Sequence, residues 1–362
     1  MKIIHILTDI NIGGAGIYLL ALLKFYDRNA FSIEVVLPVG SRLTPSVKAL
    51  DVPVIEMPHI QDRSFSVKAI GTLYQLFKKR NPNLVNTHAS FSGRIAAKLL
   101  GLPVIHTRHY CIQSFSFKHK LLGYVSHFFS DRVIATSQEA AAGLIKTGTK
   151  PSNITTINNG APPIQALSQE KRAAIRMRYG IADSAYVISQ VARLDPIKGH
   201  DHTLDAAKLL ACDPDIVVLL AGDGPLEAHL RRRIETESIN NVVMAGFVST
   251  VEEIYNITDL QINASYTEST CLALVEGMSL GIPAVVTDGG SNPRVIADGE
   301  RGLVVPCGDG TALAEAVFTI KKDPALYQRF SEGAAEEYDK HFRADNMVRQ
   351  IETLYQSVLK RG

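Results

Sequence analysis

The chain has 362 residues, 46% of them apolar and 20% charged, with a net charge of +2. At roughly 100–200 residues per domain this length suggests two domains, and the composition excludes intrinsic disorder and fibrous architecture. No apolar stretch approaches the roughly 18 residues of a membrane span, and the N-terminus MKIIHILTDINIGG does not read as a signal peptide.

The charge is uneven along the chain. Residues 1–162 hold 18 Lys/Arg against 8 Asp/Glu, and the remainder 20 against 28. Two domains meeting different partners would account for this. The basic half suits anionic lipid or a phosphorylated substrate better than nucleic acid, because its cations are dispersed and form no nucleic-acid motif. The four cysteines, Cys111, Cys212, Cys271 and Cys307, form no C-x-x-C pair. Neither a zinc site nor a disulfide framework is expected, and a reducing cytoplasm fits.

In chain order, strands are expected at 3–7, 32–38, 53–57, 84–88, 103–109 and 132–137 in the first half. The second half offers 186–193, 216–222, 242–246, 260–265, 283–288 and 302–306. Each β-branched run ends in polar, Gly or Pro residues and leads into a helix-like stretch, the pattern of parallel α/β folding. The expected fold class is α/β, with two doubly wound Rossmann-like domains, 1–162 and 163–344. The boundary falls in NNGAPPIQALSQ (158–169). A last helix near 345–360 carries Met347, Ile351, Leu354, Tyr355 and Val358 on one face. It must pack on one of the domains, and a return to the first is one course the sequence leaves open.

Three segments carry the candidate chemistry. GGAGIY, with Gly13, Gly14 and Gly16, follows the first strand and opens a helix, where backbone N–H groups can approach a phosphate; a plain turn is the bland alternative. Dinucleotide binding is not expected there, since the spacing is not G-x-G-x-x-G and the second strand ends without an acid. In VARLDPIKGH, Arg193 and Lys198 share one post-strand loop and suit a diphosphate, although a loop of solvated charges would look similar. The third, SYTESTCLALVEGMSLGIP (265–283), places Glu268 before Ser269 and Thr270, read as caps of a helix running to about Leu280. Glu276 lies inside that helix, about 12 Å from Glu268 along its axis. A carboxylate among Leu272, Ala273, Leu274 and Val275 needs a partner.

Taken in order, these motifs resemble glycosyltransferase family 4, whose members have the two-domain GT-B fold. The match rests on E-x7-E (Glu268, Glu276), Gly281-Ile282-Pro283, Gly289-Gly290 with Pro293, and GLVVPCGD (302–309). Upstream, Arg193-x4-Lys198-Gly199, AGDGPLE (221–227) and AGFV (245–248) follow the same order. GGAG (13–16), NTH (86–88), HTRH (106–109), ATS (135–137) and INNG (157–160) complete it in the first half. The resemblance implies transfer of a sugar, with retention of anomeric configuration, from a nucleotide-diphosphate donor held where two domains face a cleft. UDP-sugars are favoured and GDP-sugars are compatible; a saccharide or lipid-linked saccharide would be the acceptor, as in bacterial envelope polysaccharide or lipopolysaccharide synthesis.

By the same correspondence Glu276 would hold the ribose, and Arg193 and Lys198 would neutralise the leaving diphosphate. Glu268 would lie beside the donor sugar and His109 would contact that sugar. Gly13, Gly14 and Gly16 would offer amides to the diphosphate or acceptor, with Val248 and Leu272 near the nucleotide. No metal or other cofactor is implied. Two departures stand out: Ser269-Thr270-Cys271-Leu272 replaces the frequent Gly-Phe-Gly-Leu, which puts the sugar's identity in doubt, and Pro293-Arg294 replaces Pro-Glu.

Other polar residues rank lower. Asp213-Pro-Asp215 resembles a metal-binding D-x-D but reads as a solvated loop, and His5 and His106 as hydrogen-bonded core residues. His88 divides evenly between a site and a structural role. Segments 64–80 and 110–129 mix aromatic, leucine and basic residues and would suit an anionic headgroup surface, or else pack inward as ordinary amphipathic helices. The expected location is the cytoplasm, with peripheral contact at the inner membrane face. Rival readings are a nucleotide-sugar epimerase or sugar phosphorylase on the same architecture, and a two-lobed sugar-binding protein without enzymatic activity. The epimerase needs an extra general base that is not evident, the phosphorylase a pyridoxal lysine and usually a longer chain, and the binding protein an export signal.

Overall fold

The computed structural model describes residues 1–62, 64–109 and 128–360. They form two compact units, Met1–Pro162 with Arg343–Gly362 and Pro163–Phe342.

The first unit is built on a parallel sheet of strands β1 (Lys2–Leu7), β2 (Ser32–Pro38), β3 (Val54–Met57), β4 (Leu84–His88), β5 (Val104–Arg108), β6 (Arg132–Ala135) and β7 (Ile154–Thr156). Their spatial order is β3-β2-β1-β4-β5-β6-β7. Ile3 pairs with Ile33 on one side and Leu84 on the other, so β1 is central and its Ile3, Ile4 and Ile6 are wholly buried. Burial on both faces explains the near-continuous apolar run. Strand β7, absent from the expected elements, is a half-buried edge of three residues just after Pro151, too short to show a pattern.

The second unit repeats the plan with β8 (Tyr186–Val191), β9 (Ile216–Ala221), β10 (Val242–Gly246), β11 (Leu260–Asn263), β12 (Ala284–Thr287) and β13 (Gly302–Val305). Here the order is β10-β9-β8-β11-β12-β13, again all parallel. Strand order reverses between β1 and β4 in the first sheet and between β8 and β11 in the second. Doubly wound sheets open a crevice for ligands beyond the strand ends at these points.

The chain leaves the first unit at Pro162 and returns at Arg343, whose backbone bridges Ala161. The second unit therefore ends at Phe342 rather than at the expected 344. A Cβ on Gly160 would lie 2.7 Å from the Arg343 carbonyl oxygen, so glycine permits this close passage. The final helix, Ala344–Leu359, packs Met347, Val348, Ile351, Leu354, Tyr355 and Val358 into the core that also holds Leu19, Leu22 and Leu23 of helix Gly14–Phe25. Among the described residues no helix is long and apolar enough to cross a membrane.

Candidate active site

The chemistry-bearing residues of the second unit converge on the loops after β8 and β11. Strand β8 ends at Val191, not at the expected 193, so Arg193 lies in the loop, exposed, with Asp195 Oδ2 3.8 Å away. Lys198 closes a short 3-10 turn, Pro196–Lys198, and reaches Glu268 Oε1 at 2.6 Å. The Glu268 side chain is 9% exposed and also accepts from Ser265 Oγ at 2.8 Å and Asn263 Nδ2 at 3.5 Å. Burial works to lower the Lys198 pKa, but the Glu268 carboxylate outweighs it and holds the ammonium above its usual value. The lysine therefore stays charged.

Close backbone approaches fix the two loops against each other. Gly199 has φ +66°, and a Cβ there would stand 2.1 Å from the Ala264 carbonyl oxygen. The Tyr266 N–H donates to Ile197 O at 2.9 Å, and Gln190 Nε2 donates to Lys198 O at 2.8 Å. Gly289 and Gly290 pass under the Glu268 loop: a Cβ on either would lie 2.3 Å from the carbonyl oxygen of Ser265 or Glu268. The glycines of AGDG brace the Arg193 loop in the same way, Gly222 against Ala192 O and Gly224 against Leu194 O.

The helix carrying Glu276 differs from the expected one. It spans only Leu272–Met278, with Cys271 at its N-cap and no side-chain cap. Ser269 and Thr270 do not cap it, and 268–271 is non-helical, so the axial spacing of the two acids does not apply. Gly290 and Ser291, packed on the Glu268 backbone, hold that stretch out of the helix: Ser291 N donates to Glu268 O at 3.0 Å. Glu276 has the partner its setting demands, since Tyr255 Oη donates to its Oε2 at 3.1 Å. Burial pushes the Glu276 pKa up to about 7, with the tyrosine bond opposing. Leu272 opens this helix and is buried, and Val248 is half-buried beyond β10.

Residues that the sequence did not single out complete the cluster. Asn263 and Ser265 hold Glu268, Gln190 holds the Lys198 backbone, and Tyr255 holds Glu276. Polar side chains at the carboxyl ends of buried strands were the available signal for the first three. His200, first residue of helix His200–Leu210, is 1% exposed, and among the described residues neither ring nitrogen meets a partner. Burial and the adjacent Lys198 push its pKa down to about 4. Asp213 is tied to Lys321 Nζ at 2.6 Å. Among the described residues no group of His, Cys, Asp or Glu is arranged to hold a metal.

In the first unit, Gly13 is the N-cap of helix Gly14–Phe25 and supplies no side-chain cap. A Cβ on Gly13 or Gly14 would meet nothing within 4 Å, whereas one on Gly16 would touch Leu43 at 3.4 Å. Packing thus explains Gly16 and leaves the other two open for close approach of a ligand. His109 follows β5, half-buried, and its Nε2 lies 2.8 Å from His88 Nδ1. His106 is a satisfied core residue, its Nδ1 3.2 Å from Thr87 O.

Two doubly wound parallel sheets, the second with an ionic pair at its topological switch point, fit the GT-B class of fold. Family models agree on both parts: "Glycosyltransferase Family 4" matches residues 12–163 and "Glycosyl transferases group 1" matches 171–337. The chain belongs to glycosyltransferase family 4 and is a glycosyltransferase. Among curated relatives it is 29% identical over 187 residues to the N-acetyl-alpha-D-glucosaminyl L-malate synthase of Bacillus anthracis, covering 51% of this chain and 49% of that protein. It is 27% identical over 308 residues to the UDP-Gal:alpha-D-GlcNAc-diphosphoundecaprenol alpha-1,3-galactosyltransferase of Escherichia coli, covering 80% and 79%. Among solved structures, Anabaena HepE in complex with UDP and glucose superposes with a TM-score of 0.87 at 22% identity, over 99% of this chain and 100% of that one.

Proposed function

We propose that the protein transfers a sugar, with retention, from a UDP-sugar to a lipid-linked or saccharide acceptor in bacterial envelope polysaccharide synthesis. The observation that carries this is the Lys198–Glu268 ion pair at the β8/β11 switch point, with Glu276 held by Tyr255 on the following helix. The relatives' names support the substrate class: one acts on UDP-Gal and a diphosphoundecaprenol acceptor, and a structural neighbour binds UDP.

In this reading Glu276, as a carboxylate, accepts from the ribose hydroxyls, while Arg193 and Lys198 stabilise the charge that grows on the departing diphosphate. Those two cations supply what a metal would, so no metal is required. Glu268 orients the donor sugar, and its bond to Lys198 keeps both charges in place before the donor arrives. His109 serves the same sugar, Gly13 and Gly14 admit phosphate or acceptor oxygens to the backbone, and Val248 and Leu272 border the nucleotide.

Calorimetric titration with UDP and GDP in EDTA tests the assignment. UDP is expected to bind without metal, and Glu276→Ala to weaken it by at least 10-fold; folded protein that binds neither nucleotide would defeat the reading. The pH dependence has a definite sign. Because burial raises Glu276 to about 7, the carboxylate grows from a minor to the major form between pH 6 and 8. UDP affinity should rise about 10-fold over that range beyond the nucleotide's own titration, and Glu276→Gln should flatten that rise. An equal slope in both proteins would remove Glu276 from the ribose.

The first unit, with its returning C-terminal segment, carries 22 basic against 10 acidic residues. Helix Val67–Arg80 turns Ala69, Leu73 and Phe77 inward but leaves Phe65 and Val67 exposed at one end and Lys78 and Lys79 exposed at the other. We read this face as a peripheral contact for anionic lipid on the cytoplasmic side, which would bring the enzyme to a lipid-linked acceptor. The companion segment 110–129 lies outside the described residues except for its last two. Co-sedimentation should show binding to anionic vesicles at low salt and not to neutral ones, with loss of binding as salt rises. Equal partition to both vesicle types would exclude the electrostatic contact.

A further inference from the structure

Three histidines of the first unit, distant in sequence, form one chain that runs from the buried His5 and His88 to the half-buried His109. His109 Nε2 lies 2.8 Å from His88 Nδ1, and His88 Nε2 lies 3.1 Å from His5 Nδ1. His5 Nε2 in turn lies 3.3 Å from Tyr355 Oη, on the helix that returns from the end of the chain. Successive imidazole planes differ by only 20° and 21°, which suits in-plane nitrogen-to-nitrogen bonds. The Tyr18 ring packs edge-on against His109 and His88, with centroids 4.9 and 5.8 Å away. His5, His88 and Tyr355 are all within 1% of complete burial.

Burial pushes His5 down to about 3 and His88 well below the usual histidine range. Burial, aided by Arg108, does the same to His109, also to about 3. All three rings are therefore neutral, and each has one N–H donor and one acceptor nitrogen. The far end of the chain sets which is which. Asn86 Nδ2 donates to Tyr355 Oη at 2.8 Å, and Asn86 Oδ1 accepts from Thr107 Oγ1 at 3.1 Å. The phenol oxygen accepts there, so its single proton goes to His5 Nε2. His5 must then donate from Nδ1 to His88 Nε2, and His88 from Nδ1 to His109 Nε2. His109 is left with its proton on Nδ1. That atom is buried and meets no partner among the described residues. A buried N–H without an acceptor is costly, and a ligand oxygen would recover that cost.

We infer that Tyr355, His5 and His88 are positioning residues that lock His109 as a neutral Nδ1–H donor, aimed at an acceptor oxygen of the bound donor substrate. The inference rests on the reading of His109 as a substrate contact. It adds that His109 is neither a base nor a cation in the reaction, and that the last helix controls its tautomer. The oxygen is either a sugar hydroxyl or a phosphate oxygen, which present the same acceptor to the N–H.

Nitrogen-15 NMR of the histidine-labelled full chain tests this without any substitution. His5, His88 and His109 are each expected with Nδ1 protonated and Nε2 bare. A His109 protonated on Nε2, or averaging between tautomers, would overturn the proposal. Tyr355→Phe keeps the ring and removes only the hydroxyl, so the chain loses its fixed direction. His109 should then become a mixture of tautomers, and kcat for donor turnover should fall about 10-fold with KM changed less than about twofold. A drop in thermal stability with the tautomers unchanged would reduce Tyr355 to a packing residue. Adding UDP and then UDP-glucose locates the oxygen: a shift of the His109 N–H signal with UDP alone indicates phosphate, and one that needs the sugar indicates hydroxyl. No shift with either ligand bound overturns the assignment of that N–H to a ligand. If UDP does not bind at all, the functional reading fails while the tautomer result stands, so the two failures are distinguishable.

Discussion

Lys198→Ala is expected to lower kcat for sugar transfer by about 10²- to 10³-fold, the range seen when one preorganised partner of a developing charge is removed. The lysine side chain is 24% exposed and its ammonium lies against a carboxylate that is 9% exposed. A charge held there acts through a lower effective dielectric than a surface lysine does. It is also positioned in advance, because Gln190 and the Gly199–Ala264 approach fix the backbone that carries it. Arg193, with its side chain 67% exposed, must be ordered when the diphosphate binds. Arg193→Ala should therefore cost less than Lys198→Ala. Lys198→Arg should not restore the rate, since a planar fork cannot replace a compact ammonium 2.6 Å from Glu268. Nucleotide release from UDP-sugars measures kcat, and circular dichroism shows that the fold survives. A Lys198→Ala protein keeping more than a tenth of the wild-type kcat would take this lysine out of the reaction.

The two sheets and most of their strands are legible in the sequence because each buried strand is a β-branched run closed by polar or glycine residues. Local readings fail where a distant segment decides the outcome. Ser269 and Thr270 have the chemistry of helix caps, yet the Gly289-Gly290 turn packs on the Glu268 backbone and delays the helix to Leu272. The glycine pairs themselves show which loops must touch, although nothing nearby names their partners. His5 and His88 look like separate, ambiguous histidines. Only the pairing of β1 with β4, which sets Leu7 beside His88, brings them into one chain. Tyr355 reads correctly as a core position of the last helix, but its hydroxyl acquires a purpose only when that helix returns to Asn86 and His5. The ionic pair was half visible: Lys198 and Glu268 stood out singly as charges beside buried strands. Their direct contact follows from the switch in strand order between β8 and β11.

The other large effect concerns backbone rather than charge. Gly199→Ala is expected to destabilise the second unit by about 3 kcal/mol or more, a fall in Tm of about 6–12 °C for a unit of this size. At φ +66° an alanine already incurs about 1–2 kcal/mol. Its Cβ would in addition face the Ala264 carbonyl oxygen at 2.1 Å, a backbone atom that cannot swing aside. Relief requires the loops after β8 and β11 to part, and those loops carry Lys198 and Glu268. The variant should thus lose UDP affinity even at temperatures where it remains folded. Gly13→Ala is the counterpart. Its φ is −116° and a Cβ there meets nothing within 4 Å, so stability should change by no more than about 1 kcal/mol. Any loss of transfer in that variant then reports a ligand approaching the helix N-terminus, not a damaged fold. Thermal denaturation with UDP titration on both variants separates the two roles of glycine. A Gly199→Ala protein with unaltered Tm and UDP affinity would mean that the loops do not hold the approach on which the site depends.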